Sequence, residues 1–244
     1  MSKKPDALGI DIGGSGIKGA PVDLDKGSFT DDRLRIATPE ESTPEALCDV
    51  VAQIADHFAV KKDLPLGITI PAVVMHGVVQ TAANIEKSWI GVDADQLFSD
   101  RLGREVHLVN DADAAGVAER YYGAAKGEKG TVVLTTLGTG IGTALIVDGR
   151  LVPNTELGHL QVGKKEAEHQ ASSRVREEKG WSYEKWTEKV SEVLETYEAL
   201  FWPNLFIAGG GISRKSDKWI PLLTNSTPVV PATLLNTAGI VGAA

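Results

Sequence analysis

Two glycine-rich stretches carry the strongest signal for the fold: Asp11–Lys18, with the sequence DIGGSGIK, and Leu137–Gly142, with the sequence LGTGIG. Each follows an apolar run typical of a buried strand, and each leads into a second strand-forming run. Both are therefore predicted to be tips of β-hairpins. Because Gly14–Ala20 aligns with Gly138–Ala144, the sequence also predicts an internal duplication and a chain of two lobes.

The first glycine stretch has the spacing of a dinucleotide-binding loop, but such a loop needs a following helix whose N-terminus meets the pyrophosphate. Here Ile17–Val22 has a strand pattern and contains Pro21. The chain also lacks the GxxxxGK[ST] sequence of a P-loop. Two interpretations remain: a structural turn, or a hairpin whose backbone N–H groups bind phosphate, with Lys18 nearby and Asp11 placed to hold a metal ion through water.

Asn110 and Asp111 lie between a predicted strand, Val106–Val109, and a helix predicted from about Ala112 to Ala124. In that position Asp111 could simply cap the helix. A carboxylate at a helix N-terminus also stays ionised at neutral pH, which suits a base that accepts a hydroxyl proton. The sequence alone leaves both interpretations open.

Glu156 and His159 stand three positions apart, so a single helical turn places them on one face. Zinc is one interpretation, but zinc sites use more His or Cys ligands and only His169 is near. A fixed set of hydrogen-bond donors and acceptors suits sugar hydroxyls better. An ordinary polar loop is the remaining alternative.

A third glycine stretch, Gly209–Gly211, follows the apolar strand Leu205–Ala208 and precedes Arg214 and Lys215. Backbone N–H groups and positive side chains there favour an anionic donor. A mixed-charge run from Lys164 to Lys179 is a second candidate surface for a long anion, although most such runs are a solvated helix face.

The chain has 244 residues, a formal net charge of -8 and one cysteine, Cys48. The acidic balance disfavours unselective binding to nucleic acid or an anionic membrane surface. The two longest uncharged stretches are broken by prolines, so no membrane span is expected. One cysteine forms neither an internal disulfide nor a Cys-rich zinc site, and we expect a cytoplasmic protein.

Taken together, these stretches resemble the ROK family of sugar kinases and repressors. The resemblance spans nearly the whole chain, in the family's motif order, and includes the ending Asn236–Ala244. That ending and Leu205–Ser213 are most similar to the bacterial kinases of this family that use inorganic polyphosphate to phosphorylate glucose. The cysteine-rich zinc loop of many family members is missing, so we expect no zinc.

The resemblance implies an α/β protein with the actin-like (ribonuclease H-like) fold, in which each of two lobes is a mixed sheet flanked by helices and the active site lies in the cleft. The expected lobes are residues 1–109, with a C-terminal helix at about 236–244 returning to them, and residues 110–235. A homodimer is the family expectation.

The resemblance also assigns roles to residues. Asp111 is expected to be the general base, and Asp11 to hold Mg²⁺. The expected sugar-binding residues are Asn84, Asn110, Asp111, Glu156, His159 and Glu168, with Glu166 as the competitor of Glu168 because the zinc loop is absent. The expected donor-binding residues are Gly13, Gly14, Ser15, Gly16, Lys18, Gly138, Thr139, Gly140, Gly209, Gly210, Gly211 and Lys215.

The predicted activity is phosphoryl transfer from polyphosphate, and also from ATP, to the 6-hydroxyl of glucose. Another hexose, such as mannose or an N-acetylated sugar, is an alternative acceptor. A non-catalytic sugar sensor is less favoured, because family repressors carry an added DNA-binding module for which this sequence has no room before its first strand.

Overall fold

The structure, a computed structural model, describes residues 4–59, 63–82 and 85–244. The chain divides into two compact units, one formed by Met1–Ala118 with Thr237–Ala244 and the other by Glu119–Asn236. We call them unit 1 and unit 2. Among the described residues, no helix has both the length and the apolar character needed to cross a bilayer.

Unit 1 is built on a six-stranded mixed sheet. The strands of unit 1 are β1 (Ala7–Gly13), β2 (Gly16–Asp23), β3 (Ser28–Phe29), β4 (Leu34–Ile36), β5 (Leu66–Ile70), β6 (Val74–Met75), β7 (Val78–Val79) and β8 (Val106–Asn110). Strands β6 and β7 lie outside this sheet and form a separate two-stranded ribbon. The main order is β3-β2-β1-β5-β8, and β4 also pairs with β2. The predicted hairpin β1–β2 is antiparallel, whereas β5 runs parallel to β1 and β8 parallel to β5.

The helices of unit 1 are α1 (Pro44–His57), α2 (Ala94–Leu102) and the first turns of α3 (Asp111–Tyr122). Helix α1 begins at Thr43, whose side chain accepts a hydrogen bond from the N–H of Ala46, and its apolar face is buried, as its 3.6-residue periodicity predicts. The core includes Trp89 and Phe98, whose rings stack with centroids 6.0 Å apart.

The last helix, α7 (Ala238–Ala243), also belongs to unit 1 and packs on the backbone of its central strands. A Cβ atom on Gly9 of β1 would lie 1.9 Å from the carbonyl oxygen of Ile240, and one on Gly67 of β5 would lie 1.8 Å from that of Ala243. These distances are far below a van der Waals contact. Only glycine at both positions permits this approach.

Unit 2 contains a five-stranded mixed sheet in the order β11-β10-β9-β14-β15. The strands of unit 2, including a separate β12–β13 ribbon, are β9 (Thr131–Leu137), β10 (Ile141–Val147), β11 (Arg150–Val152), β12 (Gln161–Val162), β13 (Lys165–Glu166), β14 (Leu205–Gly209) and β15 (Val229–Pro231). The β9–β10 hairpin is antiparallel, and β14 and β15 follow in parallel. The path β10-β9-β14-β15 thus repeats the topology of β2-β1-β5-β8 in unit 1, which agrees with the duplication predicted from the sequence.

The helices of unit 2 are short α4 (Glu168–Ala171) and α5 (Ser173–Glu178), long α6 (Tyr183–Phe201) and the end of α3. A segment of 3₁₀ helix spans Gly211–Lys218. Trp186 of α6 packs edge-on against Trp219, and both indoles are fully buried. This second core lies between α6 and the sheet strands.

The division between the units falls after residue 118, not after residue 109 as predicted. The first turns of α3 belong with unit 1 because they pack against α7, where a Cβ atom on Gly242 would lie 1.8 Å from the carbonyl oxygen of Ala114. The later turns belong with unit 2. There the buried carboxylate of Glu119 accepts hydrogen bonds from the N–H groups of Ala124 and Leu234, each at 2.7 Å.

Candidate active site

Asn110 and Asp111 lie at the carboxyl end of β8, where α3 begins. The buried side chain of Asn110 caps the helix: its Oδ1 accepts hydrogen bonds from the N–H groups of Ala112 at 2.9 Å and Asp113 at 3.1 Å. Its Nδ2 donates to the carbonyl oxygen of Ala72. Asn110, rather than Asp111, is therefore the principal cap, and most of its hydrogen-bonding capacity is committed within unit 1.

Asp111 is the first residue of α3 and is partly exposed. Its Oδ1 accepts a hydrogen bond from the N–H of Ala112 at 2.8 Å. The carboxylate therefore lies at the positive end of the helix dipole. This position suits a proton acceptor, and the capping role that competed with it is largely filled by Asn110.

Asp11 lies at the same edge of the sheet as Asn110, because β1, β5 and β8 run parallel and their carboxyl ends meet there. Its Oδ1 accepts a hydrogen bond from the Thr69 hydroxyl at 2.8 Å, and its Oδ2 lies 3.4 Å from Nζ of Lys18, the residue opposite Asp11 in the β1–β2 hairpin. Thr69 was not predicted. Its contact depends on strand pairing between distant parts of the chain.

The first glycine loop is braced by two side chains that the sequence analysis did not identify. Arg35 donates a hydrogen bond to the carbonyl oxygen of Ser15, and Thr38 donates one to that of Gly13. A Cβ atom on Gly16 would lie 2.6 Å from Nε of Arg35. Packing against Arg35 thus explains why position 16 is a glycine. The exposed guanidinium of Arg35 lies at the predicted phosphate-binding loop.

A single 3₁₀ turn in unit 2, Leu157–His159, begins directly after Glu156 and ends at His159. The turn lies directly on β10, since a Cβ atom on Gly158 would come within 2.0 Å of the carbonyl oxygen of Ile141. The N–H of Leu157 donates to Oγ1 of Thr143, and its carbonyl accepts from the hydroxyl of buried Tyr197 at 2.7 Å. These contacts fix the backbone from which both predicted side chains project.

Three carboxylates surround the ring of His159. Its Nδ1 lies 3.1 Å from Oε2 of Glu166 and 3.9 Å from Oε1 of Glu168, and its Nε2 lies 3.8 Å from Oε2 of Glu156. Glu168 is the most buried of the three, with its side chain 17% exposed, and its Oε2 accepts a hydrogen bond from the N–H of Ile141 at 3.3 Å. Glu166 and Glu168 therefore hold different positions: Glu166 holds the imidazole, and Glu168 joins the cluster to the β9–β10 loop.

This arrangement shifts two ionisation equilibria. The hydrogen bond to Glu166 is the main cause that raises the pKa of His159, and the charges of Glu168 and Glu156 raise it further, while burial acts in the opposite direction. Burial raises the pKa of Glu156, and Glu168 adds to this effect while His159 opposes it. The cluster combines an imidazole with carboxylates, so it offers the hydrogen-bond donors and acceptors that a site recognising several hydroxyl groups requires.

Ligand atoms of His159, Glu166 and Glu168 all lie within 4.8 Å of one another, so they could also hold a metal ion. The absence of zinc therefore stays a prediction. Asp11, proposed from sequence as the magnesium ligand, presents one carboxylate with a hydroxyl beside it. This suits Mg²⁺, which is commonly held by one or two carboxylates together with water and substrate phosphates.

The second and third glycine loops meet at one edge of the unit 2 sheet, since β9 and β14 are parallel neighbours paired up to Thr136 and Gly209. The carbonyl oxygen of Gly138 accepts hydrogen bonds from the Ser173 hydroxyl and the Arg174 N–H, both at 3.1 Å. A cavity of about 330 Å³ opens here. Its lining residues are Gly138, Thr139, Ser173, Arg174, Arg176, Glu177, Gly211, Ile212 and Lys215.

The predicted donor-binding glycines fall into two groups. At Gly140 the Glu168 side chain fills the space that a Cβ atom would need, since that atom would lie 2.4 Å from Oε2 of Glu168. Gly210 adopts a positive φ of 79°, which favours glycine. At Gly14, Gly138 and Gly211, by contrast, a Cβ atom would meet no protein atom within 4 Å. Protein packing thus explains the first group, whereas a ligand approaching the backbone would explain the second.

The structure places Thr139, Gly138, Gly211 and Lys215 together around the cavity, but Arg214, which the sequence offered alongside Lys215, does not line it, and neither does Lys218. Sequence analysis missed Ser173, and it placed Arg174 only within a broad charged run. Asn84 lies outside the described residues, so its predicted role in sugar binding stays a prediction.

Two units of repeated topology, each with a glycine hairpin followed by parallel strands, define the actin-like fold. The sequence model of the ROK family matches residues 7–173. The chain therefore belongs to the ROK family.

Among known proteins, the chain is 57% identical to a polyphosphate glucokinase of Mycobacterium tuberculosis (strain CDC 1551 / Oshkosh), over 97% of this chain and 89% of the relative. The crystal structure of an inorganic polyphosphate/ATP-glucomannokinase from Arthrobacter sp. strain KM superposes with a TM-score of 0.94 at 49% identity, covering 99% and 97% of the two chains. A ROK family glucokinase from Streptomyces griseus in complex with glucose and AMPPNP has a TM-score of 0.84 at 24% identity, covering 98% and 97%, and shares the fold.

Proposed function

We propose that the protein is a glucokinase that transfers the terminal phosphoryl group of inorganic polyphosphate to the 6-hydroxyl of glucose. The observation that carries this proposal is the 57% identity to a polyphosphate glucokinase over nearly the whole chain. The site residues support the same reaction, because they provide an ionisable carboxylate at a helix start, a set of hydroxyl-binding groups and a cationic cavity beside two glycine loops.

Asp111 acts as the general base in this proposal. Its carboxylate accepts the proton of the 6-hydroxyl as that oxygen attacks the terminal phosphorus in line, and the P–O bond to the rest of the chain breaks. A positioned base of this kind contributes about 10²- to 10⁴-fold to the rate. The backbone hydrogen bond from Ala112 holds one carboxylate oxygen and fixes the orientation of the other.

Glu156, His159 and Glu168 bind the sugar hydroxyls, and Glu166 orients His159. Nδ1 of His159 faces Glu166 at 3.1 Å, which leaves Nε2 on the side of Glu156 to bond a hydroxyl group. Because Glu168 also accepts from the N–H of Ile141 at the end of the glycine loop, the position of the sugar ligands is tied to that of the donor loop.

The glycine loops bind donor phosphates through backbone N–H groups, with Lys18 and Lys215 as cations. Asp11 would hold Mg²⁺, which when bound neutralises charge on the reacting phosphates. Thr69 keeps Asp11 in place by donating to Oδ1, so that its other oxygen faces Lys18.

Mannose is a second candidate acceptor, favoured by the high structural similarity to a glucomannokinase. ATP is a second candidate donor for the same reason. We also propose, from family membership, that the protein forms a homodimer, which light scattering after size-exclusion chromatography measures directly.

A coupled assay for sugar 6-phosphate tests the proposal by crossing glucose and mannose with polyphosphate and ATP. We expect turnover with glucose and polyphosphate in the presence of Mg²⁺. Turnover with ATP alone would contradict the proposed donor, and turnover with mannose but not glucose would contradict the proposed acceptor. No turnover with any pair would contradict catalysis, provided that glucose still binds by calorimetry.

A further inference from the structure

The cavity in unit 2 is positively charged although the chain carries a formal net charge of -8. Its lining contains three cationic side chains, Arg174, Arg176 and Lys215, and one carboxylate, Glu177. A net excess of two positive charges thus lies in a concave surface, where low-dielectric walls strengthen attraction for an anion. The volume of about 330 Å³ is at the lower end of the range of small-ligand sites.

Arg176 is largely committed to packing. Its Nη1 donates to the carbonyl oxygen of Trp181 at 3.1 Å, and its guanidinium lies over the ring of Tyr183, 4.5 Å from the centroid. Arg176 therefore forms a wall of the cavity and contributes positive charge. Its guanidinium is held by Trp181 and Tyr183 and is not free to turn towards a ligand.

Arg174 and Lys215 are available to a ligand. Lys215 is exposed, and within the described residues its ammonium group has no hydrogen bond or ion pair. The side chain of Arg174 is 48% exposed, and its ion pair with Glu178 is long, at 3.7 Å. Exposed pairs of this kind contribute little free energy, so Arg174 can turn to an anion at small cost.

The space beside two glycines of the cavity is also open to a ligand, although the N–H of Gly138 itself donates to the carbonyl oxygen of Gly140. Gly138 and Gly211 both line the cavity, and at both positions the space that a Cβ atom would fill is empty. Thr139 and Ser173 also line the cavity, and the Ser173 hydroxyl donates to the carbonyl oxygen of Gly138. Empty space beside glycines, next to hydroxyl-bearing residues and cations, suits phosphate oxygens.

The lining is poorly suited to a nucleobase. Bases bind by stacking on aromatic or flat apolar side chains. None of the residues that line this cavity is aromatic, and the apolar side chain among them, Ile212, is buried.

We propose that Arg174 and Lys215 bind the distal phosphates of the polyphosphate donor, those beyond the groups that react, and thereby select long chains over ATP. This inference rests on the proposed function and specifies the donor subsite within it. The cavity lies in unit 2 with the Gly138 and Gly211 loops on its wall, so a chain whose reacting end is bound at these loops continues along Arg174 and Lys215.

The test compares Arg174→Ala, Lys215→Ala and the double variant with wild type, using ATP, tripolyphosphate and long-chain polyphosphate at saturating glucose. Each single change should raise the KM for the long chain about tenfold, as expected for losing one charge-assisted contact. The double variant should flatten the dependence of KM on chain length, and it should lose much more kcat/KM with long-chain polyphosphate than with tripolyphosphate or ATP. Lys218→Ala is the matched control, because Lys218 belongs to the same 3₁₀ segment but does not line the cavity.

Added salt should raise the KM for long chains in wild type and much less in the double variant, since exposed charges are screened. Unchanged chain-length dependence in the double variant would overturn the inference while leaving the polyphosphate activity intact. An equal loss with ATP and long chains would also overturn it, because the cavity would then bind phosphates common to both donors. A wild-type enzyme with no polyphosphate activity would instead overturn the proposed function itself, and the inference with it.

Discussion

Glu166 holds the imidazole of His159 through a contact of 3.1 Å between its Oε2 and Nδ1. The two residues are seven positions apart, one at the end of a 3₁₀ turn and the other on a short β-ribbon. The contact determines which ring nitrogen remains for a ligand, and it identifies Glu166 as a positioning residue and Glu168 as the deeper carboxylate of the cluster.

Glu166→Gln should lower the pKa of His159. Because the folded-state pKa lies above the ordinary value of 6.5, proton binding by His159 stabilises the fold below that pH, and this contribution is lost as the pH rises through the folded-state pKa. Removing the carboxylate moves the NMR titration midpoint of the ring down towards 6.5. The KM for glucose should rise about 2- to 10-fold, the effect of one hydrogen bond.

Glu188→Gln provides the matched control, since among the described residues the side chain of Glu188 contacts only Lys185, in an exposed pair within the same unit. An unchanged His159 midpoint in Glu166→Gln would contradict the role of Glu166. If Glu166→Gln abolished glucose binding while Glu168→Gln left it intact, the assignments of the two carboxylates would have to be exchanged.

Asp111→Asn should lose about 10²- to 10⁴-fold in kcat while glucose affinity and the thermal unfolding midpoint change little. The amide oxygen can still accept the hydrogen bond from Ala112, so the start of α3 is retained, but it cannot take a proton. Steady-state kinetics and calorimetric glucose binding measure the two effects. Asp93→Asn alters a carboxylate at another helix start, where it caps α2, and should leave kcat unchanged. Near-normal turnover of well-folded Asp111→Asn would remove Asp111 as the base.

Two glycine-to-alanine changes should separate stability from donor binding. In Gly67→Ala the new methyl group would lie 1.8 Å from the carbonyl oxygen of Ala243, so α7 must shift; the loss should reach or exceed the upper end of the usual overpacking range, about 1–3 kcal/mol. In Gly138→Ala the methyl group meets no protein atom, so stability should hold or rise by about 0.4–1 kcal/mol, while the KM for the donor increases. Denaturant unfolding and donor kinetics provide the two readouts. A destabilised Gly138→Ala protein with normal donor KM would show that Gly138 serves packing rather than a ligand.

Cys48 should be unreactive in the folded protein. Burial raises the pKa of its thiol to about 12, and the thiolate is the reactive form. A thiol reagent at pH 8 should label the chain only as unit 1 opens, so the labelling rate in increasing denaturant reports the stability of that unit. Rapid stoichiometric labelling under native conditions would contradict the buried position.

The sequence predicted the elements that depend on local pattern. Strand β14 and the β1–β2 and β9–β10 hairpins were located closely, because buried strands and glycine turns leave a local pattern in the chain. The strand before Asp111 was predicted one residue short, since Asn110 both pairs with Ile70 and caps α3. A polar residue with two structural roles at once has no distinct periodic signature.

The cavity could not be predicted in the same way. Arg174 reaches it through a hydrogen bond between its backbone N–H and the carbonyl oxygen of Gly138, and Lys215 reaches it through the pairing of β14 with β9. These contacts join segments far apart in sequence, and three neighbouring cations in 214–218 look equivalent until the fold selects one. The pairing of Thr69 with Asp11 was missed for the same reason.

The docking of α7 on Gly9 and Gly67 has a consequence for synthesis on the ribosome. The central strands of unit 1 are made before unit 2, but the helix that covers part of their backbone is made after all of unit 2. The nascent chain must therefore keep this part of its first sheet uncovered until α7 has been synthesised, and unit 2 can complete its own core before unit 1 does. Chaperones that shield exposed apolar strands would act on the earlier half of this chain, and a short extension fused after Ala244 would be present at the moment when that half closes.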